Sequence, residues 1–241
     1  MSDSARTVLQ APDKSPDRIA GMFDAIAPRY DLLNRVLSAG IDRRWRARAI
    51  RALGLTGRET LLDVCTGTAD VALQARGAAR VVGVDFAGAM LAFGRGKVRG
   101  AGAGNRITLV RGDATCLPVR DGSVDAATVA FGIRNVERPQ QACAELARVL
   151  RKGGRLSILE FGVPRIPGIS TLYLWYFKHL LPRVGQLVSG HSAAYSYLPA
   201  SVGTFPPPPA FVQVLADAGF ADVRADSLTL GIVYLYTARK P

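Results

Sequence analysis

Thr60-Leu61-Leu62-Asp63-Val64-Cys65-Thr66-Gly67-Thr68-Ala69-Asp70, followed by Val81-Val82-Gly83-Val84-Asp85, decides the fold. An apolar run of strand length ends in a tight turn of small residues. A helix follows, and a second apolar run ends on a lone carboxylate. This is the nucleotide-cradling half of a doubly wound α/β domain. The small-residue turn lets backbone approach a ligand closely. Asp85 is placed to accept hydrogen bonds from both hydroxyls of a ribose, so the pattern points to an adenosine-type cofactor.

Strands are expected at 60–65, 80–85, 106–111, 124–131 and 154–161, with helices between them, clearest over Ala87–Arg99 and Pro139–Leu150. Lys152-Gly153-Gly154 stops the last of these helices before the fifth strand. Such βαβ order implies a parallel sheet with right-handed crossovers. Val223–Leu228 and Ile232–Thr237 read as a closing hairpin around Leu230-Gly231, which makes seven strands, mostly parallel. Residues 1–17 read as a disordered tail, and 18–241 as one domain. Within it, 18–56 forms an N-terminal helical cap, with Gly40 ending one helix and Asp42 a candidate N-cap for the next. Residues 163–204 interrupt the alternation as a helical insert after the fifth strand. Pro206–Pro209 reads as a rigid helix entry or a loop.

The chain of 241 residues is 49% hydrophobic, with mean hydropathy +0.15 and a formal charge of +12. A sizeable core is available. The charge favours an anionic partner such as nucleic acid, acidic lipid or phosphate. Its scatter along the chain equally fits arginine-rich solvated helix faces. Cys65, Cys116 and Cys143 are far apart, and His179 and His191 lack metal spacing, so neither a disulfide framework nor a zinc site is expected. The polar N-terminus carries no secretory pattern, and no apolar run is long enough to span a bilayer. A cytoplasmic protein is expected, peripheral at most to the inner face of a membrane.

A dinucleotide fold needs G-x-G-x-x-G at the first turn, and Cys65–Ala69 supplies one glycine, Gly67. The elements fit S-adenosylmethionine instead. In methyltransferases that use it, an acid at the position of Asp63 helps hold the amino group of the methionine part. The turn passes below the sulfonium, and the acid ending the second strand holds the ribose. Arg111-Gly112-Asp113-Ala114 matches the element that meets the adenine. The plainer alternative is that Asp63 and Asp85 cap helices.

Further segments carry a family resemblance: Met22-Phe23-Asp24-Ala25-Ile26-Ala27-Pro28-Arg29-Tyr30-Asp31-Leu32-Leu33-Asn34, Phe131-Gly132-Ile133-Arg134-Asn135-Val136, Arg148–Leu156 leading to Leu159-Glu160-Phe161, Leu181-Pro182-Arg183-Val184-Gly185 and Tyr195-Ser196-Tyr197-Leu198. From Arg18 onward the chain resembles the bacterial menaquinone/ubiquinone biosynthesis C-methyltransferases. The resemblance implies a Rossmann-like class I methyltransferase fold. It also implies C-methylation of a prenylated quinol, demethylmenaquinol first and a benzoquinol as the alternative. Carried over by motif, Gly67, Thr68, Asp85, Asp113 and Ala114 fall on cofactor-contacting positions. Ala130 stands where many relatives have serine, leaving only backbone contact. Ala69 replaces a glycine of some relatives, a mild change if the backbone there is helical.

The implied chemistry needs an activated ring carbon. Deprotonating the adjacent hydroxyl pushes electron density onto that carbon, so the protein must align the reactants, assist the proton's departure and stabilise a phenolate. Arg134 and Asn135 follow the fourth strand, where doubly wound sheets place reactants. Arg134 is expected to stabilise the phenolate, with a water taking the proton, and Asn135 to position the ring oxygen. The alternative for Arg134 is a surface ion pair, for instance with Glu137. Tyr195, Tyr197 and His191 are weaker candidates for quinol contact. Glu160 is expected near the pocket or bonded to backbone donors. Ile169–Leu181 and the Met22–Leu37 helices read as a lid and channel for the prenyl tail, or as ordinary core.

The arginine-rich helix around Trp45 suits anionic headgroups, each cation contributing about 1 kcal/mol at such a surface. The expected partners are the quinol and a peripheral anionic membrane surface, with room for a homodimer and no nucleic acid. An RNA methyltransferase would draw on the charge, but no Asn-Pro-Pro-Tyr motif follows the fourth strand. A non-catalytic cofactor-binding scaffold has only Ala130 in its favour.

Overall fold

The structure is a computed structural model that describes residues 13–164, 166, 168–176 and 193–241. Its strands are β1 (Thr60–Val64), β2 (Arg80–Asp85), β3 (Ile107–Arg111), β4 (Val124–Ala130), β5 (Leu150–Phe161), β6 (Ala221–Leu228) and β7 (Val233–Arg239). They form one sheet in the order β3-β2-β1-β4-β5-β7-β6. The pairs from β3 to β5 are parallel, and β7 pairs antiparallel with both β5 and β6. The seven-stranded, mostly parallel sheet read from the sequence is what forms. Chain order reverses between β1 and β4, so the crevice beyond their carboxyl ends is the natural ligand position.

Side chains alternate faces along β1. Leu62 and Val64 pack with Ile133, Leu146, Phe211 and Leu215, on the face of α6 (Pro139–Val149) and α9 (Pro208–Asp217). Leu61 packs the other way with Leu53, Ala72, Val81 and Val98, the side of α3 (Asp42–Ala52), α4 (Asp70–Gln74) and α5 (Gly88–Gly100). Both leucines are fully buried, each stabilising the fold by about 1.5–3 kcal/mol. Burial on both faces explains why the parallel strands read as unbroken apolar runs.

Two boundaries differ from the sequence reading. β5 begins at Leu150, directly after α6. Its register against β4 jumps from Val124–Leu150 to Ala126–Arg155. The bulged stretch pairs instead with the C-terminus, through Gly153 N–H to Lys240 O and Lys240 N–H to Gly154 O, and Gly153 takes φ +73°. Asp42 does not cap α3: Ile41 is the capping residue, and Asp42 opens the helix. Its carboxylate accepts from Ser38 Oγ at 2.9 Å and Arg46 Nη1 at 2.7 Å. Pro208 is the first residue of α9 and Pro207 its extended cap, so the proline run is a helix entry.

The cap consists of α1 (Pro16–Ile26), α2 (Tyr30–Leu37) and α3. α1 starts at Pro16, and Asp13 leads into it by accepting the Ser15 N–H at 2.9 Å and an Arg18 bond at 3.3 Å. Gly40 takes φ +77° and donates to Arg35 O at 2.8 Å, which ends α2. Arg46 faces inward, against the expectation of a wholly solvated arginine face, while Arg43, Arg44, Arg48 and Arg51 are exposed. It bridges Asp42 and Asp70, and Lys97 bridges Asp70 and Asp31. This chain of charges ties the cap to the turn after β1. The insert adds α7 (Ile169–Trp175) and α8 (Ala193–Thr204). His179, Leu181–Gly185 and His191 lie outside the described residues. Among these, no helix is long and apolar enough to cross a membrane.

Candidate active site

Beyond the ends of β1, β2 and β4 lies a crevice lined by Cys65, Gly67, Asp85, Asp113, Ala114, Thr115, Ala130 and Asn135, roofed by Ile19 and Phe23 of α1. Gly67 takes φ +54° at the tight turn and donates its N–H to Asp85 Oδ2 at 2.7 Å, while Ala87 N–H reaches Oδ1 at 3.0 Å. Each Asp85 oxygen thus keeps a lone pair for a ligand hydroxyl. Burial raises the Asp85 carboxyl, and these N–H bonds work against that. Asp113 accepts from Thr115 through Oδ1 alone, leaving Oδ2 without a hydrogen bond among the described residues.

Asp63 sits behind the crevice wall, 1% exposed. Its Oδ2 accepts from Thr66 Oγ1 at 2.6 Å, and among the described residues its Oδ1 has no hydrogen-bond donor. Burial pushes its carboxyl up to about 7. Asn135 Oδ1 is likewise buried without a donor. Buried acceptors without donors are uncommon and call for an explanation; for Asn135, which lines the crevice, a ligand amino group supplies one. The N-cap residues of α4 and α5 are Ala69 and Ala87, while Asp85 accepts the Ala87 N–H at the entry to α5, so part of the plainer alternative holds alongside the crevice.

Thr68 is not among the lining residues. Its hydroxyl donates to Asp31 Oδ1 at 2.5 Å and accepts from Lys97 at 3.2 Å. Ala69 next to it takes φ +66°, so the backbone is left-handed there, not helical. Its methyl group is therefore strained. Cys65 and Phe131, at the ends of β1 and β4, also have positive φ, +56° and +61°. A Cβ at Gly132 would stand 2.3 Å from Cys65 Cβ, so only glycine lets these two strand ends approach.

A second cavity, of about 470 Å³, lies on the cap side. Met22, Ile26, Leu33 and Leu37 line it from α1 and α2, and Ile169, Tyr173 and Trp175 from α7. The helices expected to form the lid and channel do line it. Phe23, Tyr30 and Phe131 line both spaces and form their common wall. Arg134 and Asn135, adjacent in sequence, part company: Asn135 faces the crevice and Arg134 the apolar cavity.

Arg134 is buried, and its partner is not Glu137. Nη1 meets Glu160 Oε1 at 2.8 Å and Phe131 O at 2.6 Å, and Nε meets Ser201 Oγ at 3.3 Å. The guanidinium carbon lies 5.4 Å from the Phe161 ring centre. Nη2 makes no hydrogen bond to the described residues. Glu160 is fully buried and also accepts the N–H groups of Arg134 and Phe161. Tyr197 lines the same cavity, and its buried hydroxyl has no hydrogen-bond partner among the described residues. The Tyr195 side chain and His191 lie outside what is described.

The sequence pattern of the ubiE/COQ5 methyltransferase family matches residues 12–240. The chain belongs to the ubiE/COQ5 methyltransferase family. Among relatives of this family, the ubiquinone/menaquinone biosynthesis C-methyltransferase UbiE of Geobacter sp. (strain M21) is 46% identical, covering 96% of this chain and 100% of the relative. The demethylmenaquinone methyltransferase of Thermus thermophilus is 45% identical, over 91% of this chain and 100% of the relative. That of Mycolicibacterium paratuberculosis is 44% identical, over 95% and 96%. The family's fold is widely shared. The [4+2]-cyclase SpnF superposes with a TM-score of 0.71 at 19% identity, over 96% of this chain and 98% of its own. A likeness of that kind establishes the fold alone.

Several lining residues escaped the sequence reading, Lys14 and Pro16 most completely. Both fall in the stretch assigned by composition to a tail, yet they line the crevice. The only local cue is Ser15-Pro16-Asp17, a helix-start pattern two residues earlier than Arg18.

Proposed function

We propose that this methyltransferase transfers a methyl group from S-adenosylmethionine to a ring carbon of a prenylated quinol, with demethylmenaquinol as acceptor and menaquinol as product. The observation that carries this proposal is the common wall of Phe23, Tyr30 and Phe131. On one side is an acid-lined crevice of nucleotide character, on the other an apolar cavity holding a buried cation. The names of the Thermus and Mycolicibacterium relatives support the naphthoquinol ring over a benzoquinol.

The residues present fit the cofactor. Asp85 would take the ribose, Asp113 and Ala114 the adenine, and Gly67 the close backbone approach. Asn135 Oδ1, in the crevice lining, has no donor among the described residues and suits an amino group, while Asp63, behind the wall, would act through Thr66 of the turn. Ala130 offers backbone only. Thr68 would act at one remove, holding the turn against Asp31 and Lys97. When bound, S-adenosylmethionine supplies an electrophilic methyl carbon for in-line attack by the acceptor ring.

Arg134 cannot take the quinol proton, because a guanidinium does not deprotonate in proteins. Its task is to hold the phenolate that appears as the proton passes to water. Glu160 fixes one edge of the guanidinium and leaves Nη2 for that oxygen. Asn135 aligns the crevice side of the reaction. The cavity of α1, α2 and α7 takes the tail. We also propose a cytoplasmic protein whose α3 arginines rest on anionic lipid, where the acceptor is dissolved.

The test is methyl transfer from radiolabelled S-adenosylmethionine to reduced short-chain demethylmenaquinol, with a benzoquinol and bulk tRNA in parallel. Label in the naphthoquinol alone is expected. Label only in RNA, or in none, overturns the proposal.

A further inference from the structure

Lys14 precedes α1 by two residues and lines the crevice beside Pro16, Ile19 and Phe23. Its side chain is partly buried, and among the described residues no hydrogen bond or ion pair engages its ammonium. Burial lowers its affinity for a proton, Arg134 adds to that effect, and Glu160 opposes it. A partly buried ammonium with no bonded partner is favoured by an anion placed against it.

The crevice is otherwise acidic: Asp85, Asp113 and Glu137 line it, and Asp63 lies behind. Among its described lining residues the cations are Lys14 and Arg138. Arg138 belongs to the Asp113 end. Its carbonyl accepts from Gln141 N–H, and the Gln141 side chain donates to Thr115 O at 3.0 Å. Lys14 enters with the α1 side of the crevice, whose Phe23 also belongs to the wall shared with the apolar cavity, and it feels the charges of Arg134 and Glu160. The proposed cofactor carries one carboxylate, on its amino-acid part. Asp63 and Asp85 would repel that group, so the end away from the adenine needs a cation.

We infer that the Lys14 ammonium pairs with the cofactor's carboxylate and thereby seats the segment before α1 over the crevice. The inference rests on the cofactor assignment made above. It concerns binding rather than chemistry, so binding tests it. Calorimetric titration compares S-adenosylhomocysteine with 5′-methylthioadenosine, which lacks the carboxylate. Lys14→Ala is expected to weaken S-adenosylhomocysteine by about ten- to hundredfold and to leave 5′-methylthioadenosine unchanged. Lys14→Arg is expected to keep most of the affinity. Equal weakening of both ligands, or of neither, overturns the pairing while leaving the cofactor assignment intact. A wild-type protein that binds neither ligand overturns the assignment itself.

Discussion

Arg134 and Glu160 form a pair whose members answer different experiments. Glu160 is fully buried, so Arg134→Ala strands a carboxylate and is expected to destabilise the protein by about 3–5 kcal/mol. Arg134→Lys keeps the charge but loses the planar fork. It is expected to stay folded while kcat falls about 10²–10³-fold with little change in KM, read by the radiolabel assay. Asp63 gives a pH signature. Its folded carboxyl titrates near 7, against 3.8 when unperturbed. Between those values the folded state holds a proton that the unfolded state has released, so stability falls as pH rises from 4 to 7 and levels off above. Asp63→Asn is expected to reduce that decline in denaturant titrations of the ligand-free protein, leaving the share contributed by Asp85, whose carboxyl burial also raises. Tyr197→Phe deletes a buried hydroxyl with no partner among the described residues. A Tm at or above wild type is expected, and a lower one would reveal a structural partner. Asp85 and Asp113 were legible in the sequence because each ends a strand–turn pattern. Lys14 was not, because nothing in the local pattern of a polar N-terminus says that it folds back over a crevice.

At the scale of elements, the turn from β1 into α4 carries strain that the sequence concealed. Ala69 is left-handed at φ +66°, a conformation costing a non-glycine residue about 1–2 kcal/mol, while its buried methyl returns about 0.8 kcal/mol. Ala69→Gly is therefore expected to raise Tm by a few degrees in calorimetry. The helix–strand alternation was readable because the core strands are buried on both faces and the helices carry clear stops. What failed was local: Asp42 looked like a cap because its type favours caps, but Arg46 one turn later claims its carboxylate. An interior arginine cannot be told from a solvated one when five share a short helix. The bend in β5 escaped for a related reason: its partner is the distant C-terminal Lys240.

For the whole molecule, the net charge of +12 acquires a direction. Exposed Arg43, Arg44 and Arg48 share the cap with exposed Leu32, Val36 and Ile41, and Ile41 also lines the apolar cavity. Co-sedimentation with anionic vesicles is expected, weakening as salt shortens the reach of the charges, and absent with neutral vesicles. The wall of Phe23, Tyr30 and Phe131 has a thermodynamic corollary. Two compartments divided by one partition do not fill independently, because setting the partition for one occupant sets it for the other. By linkage, whatever factor a quinone analogue applies to the nucleoside's affinity, the nucleoside returns to the analogue. Where each occupant tightens the other, departure of the transformed nucleoside loosens the grip on a greasy product that must find its way back to lipid.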